Sequence, residues 1–161
     1  MITAIDPGVH RCAYADLRDG VITRVDFSPP VSPPDIVVVE RPEYHGSRSN
    51  AARTQDLLAL SWAGARAAYA LGGVVAEVGA SAWNRALPKP IVHHRLWKQL
   101  SGEEKDLLGG DATEAAIDKA LDKGARKRWA AGHRWYPAKF DTHNLLDAAA
   151  IACVYTKRLV L

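Results

Sequence analysis

The stretch DTHNLLDAAAIACVY, residues 141–155, places one acidic residue inside an almost wholly apolar segment. From Leu145 to Tyr155, Asp147 is the only residue that is not apolar. Alanine and leucine favour helix, and a helix that is apolar on nearly all sides is a buried one. The segment therefore predicts a buried last helix over roughly residues 142–157. A buried carboxylate needs a compensating partner, so the first question is what compensates Asp147.

Two further acids, Asp6 and Glu40, stand at the ends of predicted strands. Asp6 ends the short strand MITAID, and Glu40 ends IVVVE, an apolar run typical of a strand buried on both faces. Adjacent parallel strands place their carboxyl ends at one edge of a sheet, where ligands of α/β folds bind. A helix docked across that edge can bring Asp147 to the same place.

Three carboxylates held together repel one another, and divalent cations relieve that repulsion. Carboxylate oxygens select Mg²⁺ or Mn²⁺. We therefore expect the partner of Asp147 to be a metal ion rather than a side chain. Taken singly, the acids have simpler interpretations, since Asp6 can cap the Pro-Gly turn that follows it and Glu40 can pair with Arg41 or Arg48.

Three residues shortly before Asp147 are candidates for a fourth ligand. His143 lies four positions before it and Asn144 three, so both share its helix face. His143 can bind metal, orient a water or act as a general base, or it can be a first-turn histidine that contacts the preceding loop. Asp141 lies about 120° round the helix and suits an N-cap better than a ligand.

The first half of the chain predicts mainly strands. RCAYADL and VITRVDF form a hairpin that turns at Asp19-Gly20. Residues 28–35, SPPVSPPD, contain four prolines and form an extended connector to the Glu40 strand. Further along, VVAEV predicts a fifth strand.

Helices are predicted mainly in the remainder of the chain. A long Ala/Leu-rich helix runs from about Ser49 to Leu71 and is closed by Gly72-Gly73. WNRALPKP is a loop, IVHHRLWKQLSG is a helix, and DATEAAIDKALDK is a helix with Asp111 as its N-cap. This order predicts an α/β or α+β fold with a mixed sheet, and 161 residues suit one domain over 1–161.

Cysteine usage and hydropathy predict a cytoplasmic protein, which includes the cytoplasm of an infected host cell. Cys12 and Cys153 lie far apart outside any CxxC pattern, which favours free thiols in a reducing compartment. We find no basic-then-apolar leader and no apolar run long enough to span a membrane.

The basic residues are concentrated in the second half of the chain. Residues 1–83 carry seven Lys/Arg and nine Asp/Glu, whereas residues 84–161 carry fourteen and nine. The cluster KGARKRWAAGHRW, residues 123–135, interleaves basic residues with tryptophans. Such a cluster suits a polyanion surface, and it equally suits a solvated helix face or loop.

The motifs AIDPG, VVVE and HNLLDAA, in this order and spacing, resemble those of the RuvC-like Holliday-junction resolvases of the RNase H-like superfamily. The resemblance spans essentially the whole chain, and WNRALPKP followed by a basic helix resembles the phage-type branch. It implies an RNase H-like α/β fold with a mixed five-stranded sheet flanked by helices. It also implies a homodimer that resolves four-way DNA junctions in recombination and repair by paired symmetric nicks.

The resemblance further implies two Mg²⁺ ions per active site, with Mn²⁺ as a substitute. Asp6 would bridge the two ions, Glu40 and Asp147 would each hold one, and His143 would complete a site or take a proton from water. Bacterial members place an acid or a histidine three residues before the last acid, where this chain has Asn144. His143 is therefore our first choice for the fourth ligand, with Asn144 and Asp141 behind it. The helix that usually joins the third and fourth strands is also missing here.

DNA contacts are expected from basic residues, since phosphate contacts dominate affinity for DNA. The candidates are Arg48, Lys89, Arg95, Lys98, Arg126, Lys127 and Arg128. Trp97, Trp129 and Trp135 are better explained as core or interface residues than as platforms for unpaired bases. His93 and His94 are adjacent, so they diverge on a helix; we interpret them as surface or DNA-facing residues and assign no metal to them.

Three alternatives remain open from the sequence. A nuclease of the same fold can act on other branched DNA, flaps or RNA–DNA hybrids with the same acids. A catalytically inactive junction-binding module would explain Asn144, although a binding protein gains nothing from acids that face phosphate. A sugar-kinase or actin-like ATPase shares the IDxG opening, but this chain has about half the required length and no second phosphate loop.

Overall fold

A mixed five-stranded sheet forms the centre of the molecule. Our computed structural model describes residues 1–8, 10–42, 51–84, 87–122, 136 and 140–159, without the side chains of 51–53 and 84. The strands are β1 (Ile2–Asp6), β2 (Ala13–Arg18), β3 (Val21–Asp26), β4 (Ile36–Arg41) and β5 (Val74–Gly79). Their order is β3-β2-β1-β4-β5. β1 pairs antiparallel with β2 and β2 with β3, whereas β1–β4 and β4–β5 are parallel. The predicted mixed five-stranded sheet is confirmed.

Helices cover both faces of this sheet. They are α1 (Ala51–Leu71), α2 (Ala80–Asn84), α3 (Lys89–Trp97), α4 (Gly102–Leu107), α5 (Gly110–Leu121) and α6 (Thr142–Tyr155). One hydrophobic cluster joins α6, α3 and α5 to the sheet face that carries Ala4 and Val38. The other joins α1 to the opposite face through Ile5, Val37 and Val39. The two clusters follow from the alternation of side chains along β1 and β4.

This alternation also fixes the direction of the two strand-end acids. Asp6 is two residues after Ala4, and Glu40 is two residues after Val38, so both point to the face covered by α6. β1 and β4 are paired in parallel, with Ile5 opposite Val39 in the register. The two acids therefore leave the sheet next to each other.

Glycines close the turns that were predicted. The β2–β3 hairpin turns at Asp19 and Gly20, both with positive φ (52° and 80°), as a two-residue hairpin loop requires. After α1, Gly72 and Gly73 have φ of 69° and 86°. A Cβ on Gly73 would lie 2.6 Å from the Pro34 carbonyl oxygen, so the approach of the proline-rich connector requires glycine there.

Several predicted helix boundaries were wrong. Ala80–Asn84 is helical and Lys89 begins α3, although WNRALPKP was predicted as a loop. The N-cap of α5 is Gly109 rather than Asp111, which lies in the first turn. Helix α4, which begins with a capping box between Ser101 and Glu104, was not predicted.

Two predictions about the whole chain can be checked against the described residues. Cys12 and Cys153 are free thiols, as expected. In the part of the chain that the structure describes, we find no helix with the length and hydropathy needed to cross a membrane.

Candidate active site

Asp6 and Glu40 open onto a groove at the carboxyl ends of β1 and β4. The groove has a volume of about 480 Å³. Its acidic end also contains Lys89 from the start of α3 and Asn144 from the first turn of α6. The full lining is Asp6, Pro7, Gly8, Glu40, Pro42, Leu57, Leu60, Ala80, Lys89 and Asn144. The topology thus brings residues from two strands and two helices to one edge of the sheet, where α/β folds bind ligands.

Asp147 is fully buried, and both of its carboxylate oxygens have side-chain partners. The Lys89 ammonium donates to Oδ2, and the His93 ring Nε2 lies 2.7 Å from Oδ1. Neither Asp147 nor His93 has an exposed side chain. The expectation that a metal ion rather than a side chain compensates Asp147 is therefore wrong on that point, because a lysine and a histidine do so. Its role as a metal ligand stays a prediction.

The two partners of Asp147 lie on the same face of α3. Lys89 and His93 are four residues apart, so both side chains reach the same side of the helix. His93 shares its face with the buried Leu96 and Trp97, a spacing that is visible in the sequence. The interpretation of His93 as a surface or DNA-facing residue is wrong because this stripe packs into the core.

A short chain of hydrogen bonds fixes the orientation of His93. Tyr136 Oη lies 2.8 Å from His93 Nδ1, and the two rings stack with centroids 5.7 Å apart. Burial lowers the pKa of His93, with Asp147 opposing that effect, so the ring is neutral. Burial raises the pKa of Tyr136, which keeps its hydroxyl protonated. Tyr136 therefore donates to Nδ1, and the Nε2–H of His93 donates to Asp147.

The pKa values of Asp6 and Asp147 are shifted in opposite directions. Burial, followed by repulsion from Asp147 and Glu40, raises the pKa of Asp6 well above 3.8, although Lys89 opposes this. Burial would also raise the pKa of Asp147, but the Lys89 ammonium and the His93 hydrogen bond lower it. Asp147 is therefore ionised, whereas Asp6 carries repulsion that a cation would relieve.

Glu40 is held in place by a tryptophan. The indole Nε1–H of Trp83, on α2, donates to Glu40 Oε1 at 3.0 Å, and Trp83 is buried. The Glu40 side chain is also hydrogen-bonded to Asp6, so both residues are held together at the groove. The simpler pairing of Glu40 with Arg48 concerns a residue outside the described part of the chain.

The donor set at the groove suits one hard cation. Among the described residues, no three His, Cys, Asp or Glu side chains are placed together to hold a metal ion. Asp6 and Glu40 nevertheless give two carboxylates on one wall of the groove. Proteins typically hold Mg²⁺ through one or two carboxylates together with waters and substrate phosphates. The ammonium of Lys89 already lies among these acids and supplies positive charge at this position.

The three candidates for a fourth ligand occupy different environments. Asn144 lines the groove. His143 Nδ1 lies 2.5 Å from the Phe140 carbonyl oxygen, which is the contact with the preceding loop that was the simpler interpretation. Asp141 is the N-cap residue of α6 without a side-chain capping bond, and its carboxylate pairs with Arg11 at 2.5 Å. The geometry therefore favours Asn144 over His143 and Asp141 for contact with a groove ligand.

The residues predicted to contact DNA are only partly described. Arg95 and Lys98 are exposed at the end of α3, whereas Lys89 turns toward the acids. Trp97 is a core residue, as predicted, and its indole N–H has no hydrogen-bond partner within the described residues. Outside the described residues lie Arg48, Arg126, Lys127, Arg128, Trp129 and Trp135.

Comparisons with known proteins yielded matches among solved structures. No protein-family model matches the chain, and no curated protein matches it significantly. RuvC from Thermus thermophilus in complex with a Holliday junction substrate is 17% identical over 98% of this chain and 94% of that chain, with a TM-score of 0.47. A second Thermus thermophilus RuvC structure is 16% identical over 98% and 95% of the two chains, with a TM-score of 0.37.

Proposed function

We propose that this protein is a metal-dependent, structure-selective endodeoxyribonuclease that resolves four-way DNA junctions by paired symmetric nicks. The observation that carries the proposal is the placement of Asp6 and Glu40 side by side on a groove, with buried Asp147 behind Lys89. The motifs around these acids resemble those of RuvC-like resolvases, and the phage-type assignment rests on WNRALPKP followed by a basic helix.

The chemistry assigned to the site is hydrolysis of a phosphodiester. Asp6 and Glu40 would hold Mg²⁺, for which Mn²⁺ substitutes, and Asn144 would offer an amide oxygen at the same groove. When bound, such an ion stabilises charge on a phosphate oxygen and lowers the pKa of a bound water. The resemblance implies two such ions, and their number depends on whether Asp147 can bind one.

The protein residues bind and orient the scissile phosphate. Lys89 gives the groove a positive charge next to the acids, which favours entry of the phosphate. Leu57 and Leu60 form an apolar wall that limits the water around the reacting group. Beneath this surface, Asp147 holds Lys89 in place, and His93 in turn holds Asp147.

A homodimer belongs to the proposal because symmetric nicking needs two active sites. Leu58, Trp62 and Tyr69 lie on one face of α1, since they are four and seven residues apart. Their exposed fractions are 56%, 69% and 90%. A second copy of the chain, related by a twofold axis, would cover this stripe. We treat residues 1–161 as a single nuclease domain.

Cleavage of a defined set of substrates tests the proposal. The protein is incubated with Mg²⁺ and an end-labelled four-way junction, a linear duplex, a flap or an RNA–DNA hybrid. We expect nicking of the junction alone and its loss in Asp6→Asn, because that variant lacks a cation ligand. Equal cutting of flap or hybrid would instead support a broader branched-nucleic-acid nuclease. Tight junction binding without any cutting would support an inactive binding module.

A further inference from the structure

Lys89 occupies the part of the acidic site that a second metal ion would need. Its ammonium donates to Asp147 Oδ2 and lines the same groove as Asp6 and Glu40. The Lys89 side chain therefore places its amino group inside the carboxylate cluster.

Asp147 has no accessible oxygen to offer to another ion. Its Oδ1 accepts from His93 and its Oδ2 from Lys89, and its side chain is 0% exposed. His93 is itself fixed by Tyr136, so the carboxylate cannot rotate without breaking a buried network. An ion could reach Asp147 only by displacing Lys89.

Charge balance favours a single ion as well. Asp6, Glu40 and Asp147 contribute three negative charges when all are ionised, and Lys89 contributes one positive charge. In the DNA-free protein, one divalent ion then brings the cluster to neutrality. A second divalent ion beside a retained Lys89 would leave two positive charges without compensation before DNA binds, which a partly buried site disfavours.

We propose that this site takes one divalent ion, held by Asp6 and Glu40, and that the Lys89 ammonium serves as the second cation next to the phosphate. The inference rests on the proposed nuclease function and departs from the two ions that the sequence resemblance implies. Lys89 is thus assigned a role at the reacting phosphate rather than in general DNA binding.

Counting bound Mn²⁺ tests this directly. Metal-free protein is titrated with Mn²⁺, and the free ion is measured by electron paramagnetic resonance, with and without a bound four-way junction. We expect one ion per wild-type chain, two in Lys89→Met, and one in the matched control Lys119→Met, which removes an exposed lysine of α5. Two ions in the wild type, or one in Lys89→Met, would overturn the inference and leave the nuclease proposal standing. No bound ion in any variant would overturn both.

A second measurement on the wild-type protein covers the case in which Lys89→Met fails to fold. Reductive methylation of lysines is followed by mass spectrometry with and without saturating Mg²⁺. We expect the methylation rate of Lys89, relative to that of Lys119, to stay unchanged when Mg²⁺ is added. A several-fold faster methylation of Lys89 would mean that the ion displaces it from Asp147, which contradicts the inference.

Discussion

The Nε2 atom of His93 lies 2.7 Å from Oδ1 of Asp147, and neither side chain has any solvent exposure. This pair links α3 to α6 beneath the groove. Because the ring is held neutral by burial, it acts as a neutral hydrogen-bond donor rather than as a counter-ion. The ionic compensation of Asp147 is therefore left to Lys89.

Replacing His93 tests the stability of this link. In His93→Leu, Oδ1 of Asp147 is left buried without a donor, and we expect a loss of about 2–3 kcal/mol in the free energy of unfolding. Urea unfolding followed by circular dichroism measures it. His94→Leu is the matched control, because His94 is the next residue and is only partly buried. Equal losses in the two variants would contradict the assigned hydrogen bond.

Stability should depend on the ionisation of Asp6. The folded-state pKa of Asp6 lies well above its ordinary value of 3.8, so the folded chain binds the proton more tightly than the unfolded chain. The free energy of unfolding therefore falls as pH rises from about 3.8 through the raised pKa. Without divalent ions at neutral pH, Asp6→Asn should raise Tm, and the gain should vanish below that window.

Mg²⁺ should reduce the difference in Tm between Asp6→Asn and the wild type. The ion relieves the repulsion at Asp6, so it should raise the Tm of the wild type more than that of Asp6→Asn. Asp118→Asn, on an exposed position of α5, is the control and should change Tm little under either condition. A lower Tm for metal-free Asp6→Asn at neutral pH would contradict the electrostatic account of the cluster.

The sequence predicted the positions of the acids better than their partners. Asp6 and Glu40 end apolar strands, and the alternation of β1 and β4 is enough to send them to one face. Asp147 was recognised as buried because its neighbours are apolar all round the helix. These inferences depend only on local periodicity.

Lys89 and His93 were missed because their contacts with Asp147 span 58 and 54 positions in the chain. Local periodicity says nothing about which buried faces meet. Lys89 was assigned to DNA because it is a lysine in a basic region, and His93 was assigned to the surface because it adjoins His94. Their four-residue separation, in register with buried Leu96 and Trp97, was the available signal.

Trp83 should affect the affinity of the site for Mg²⁺ through Glu40. Trp83→Phe keeps an aromatic ring and removes the Nε1–H that donates to Glu40 Oε1 at 3.0 Å. Loss of a hydrogen bond that orients a ligand commonly costs about 10–100-fold in metal affinity or activity. We expect the Mg²⁺ concentration for half-maximal cleavage to rise by at least about 10-fold. Trp97→Phe is the control, because Trp97 is also buried but its indole N–H has no hydrogen-bond partner within the described residues. A matching shift in Trp97→Phe would contradict the role of Trp83.

The Glu104–Arg158 pair should stabilise the fold in a pH-dependent way. Burial would raise the pKa of Glu104, but hydrogen bonds from Arg158 and from the Ile22 and Ser101 N–H groups lower it to about 2. This contribution is present above 4.5 and is lost as pH falls through about 2. Glu104→Gln should therefore cost on the order of 3 kcal/mol at neutral pH.

The difference in free energy of unfolding between the wild type and Glu104→Gln should shrink as pH approaches the folded-state pKa of Glu104. Chemical unfolding at several pH values provides the measurement. Glu103→Gln, the exposed neighbour in the first turn of α4, is the matched control and should have little effect. A pH-independent loss in Glu104→Gln would show that packing rather than charge stabilises this position.

The most direct test of the nuclease account is to map the nicks in a single four-way junction. Both strands of one symmetry-related pair are end-labelled, and the products formed with Mg²⁺ are sized for the wild type and for Asp6→Asn. We predict nicks at symmetry-related positions in both strands, dependent on Mg²⁺ and absent in Asp6→Asn. Nicking that persists in Asp6→Asn, or junction binding without Mg²⁺-dependent nicking by the wild type, would contradict the account.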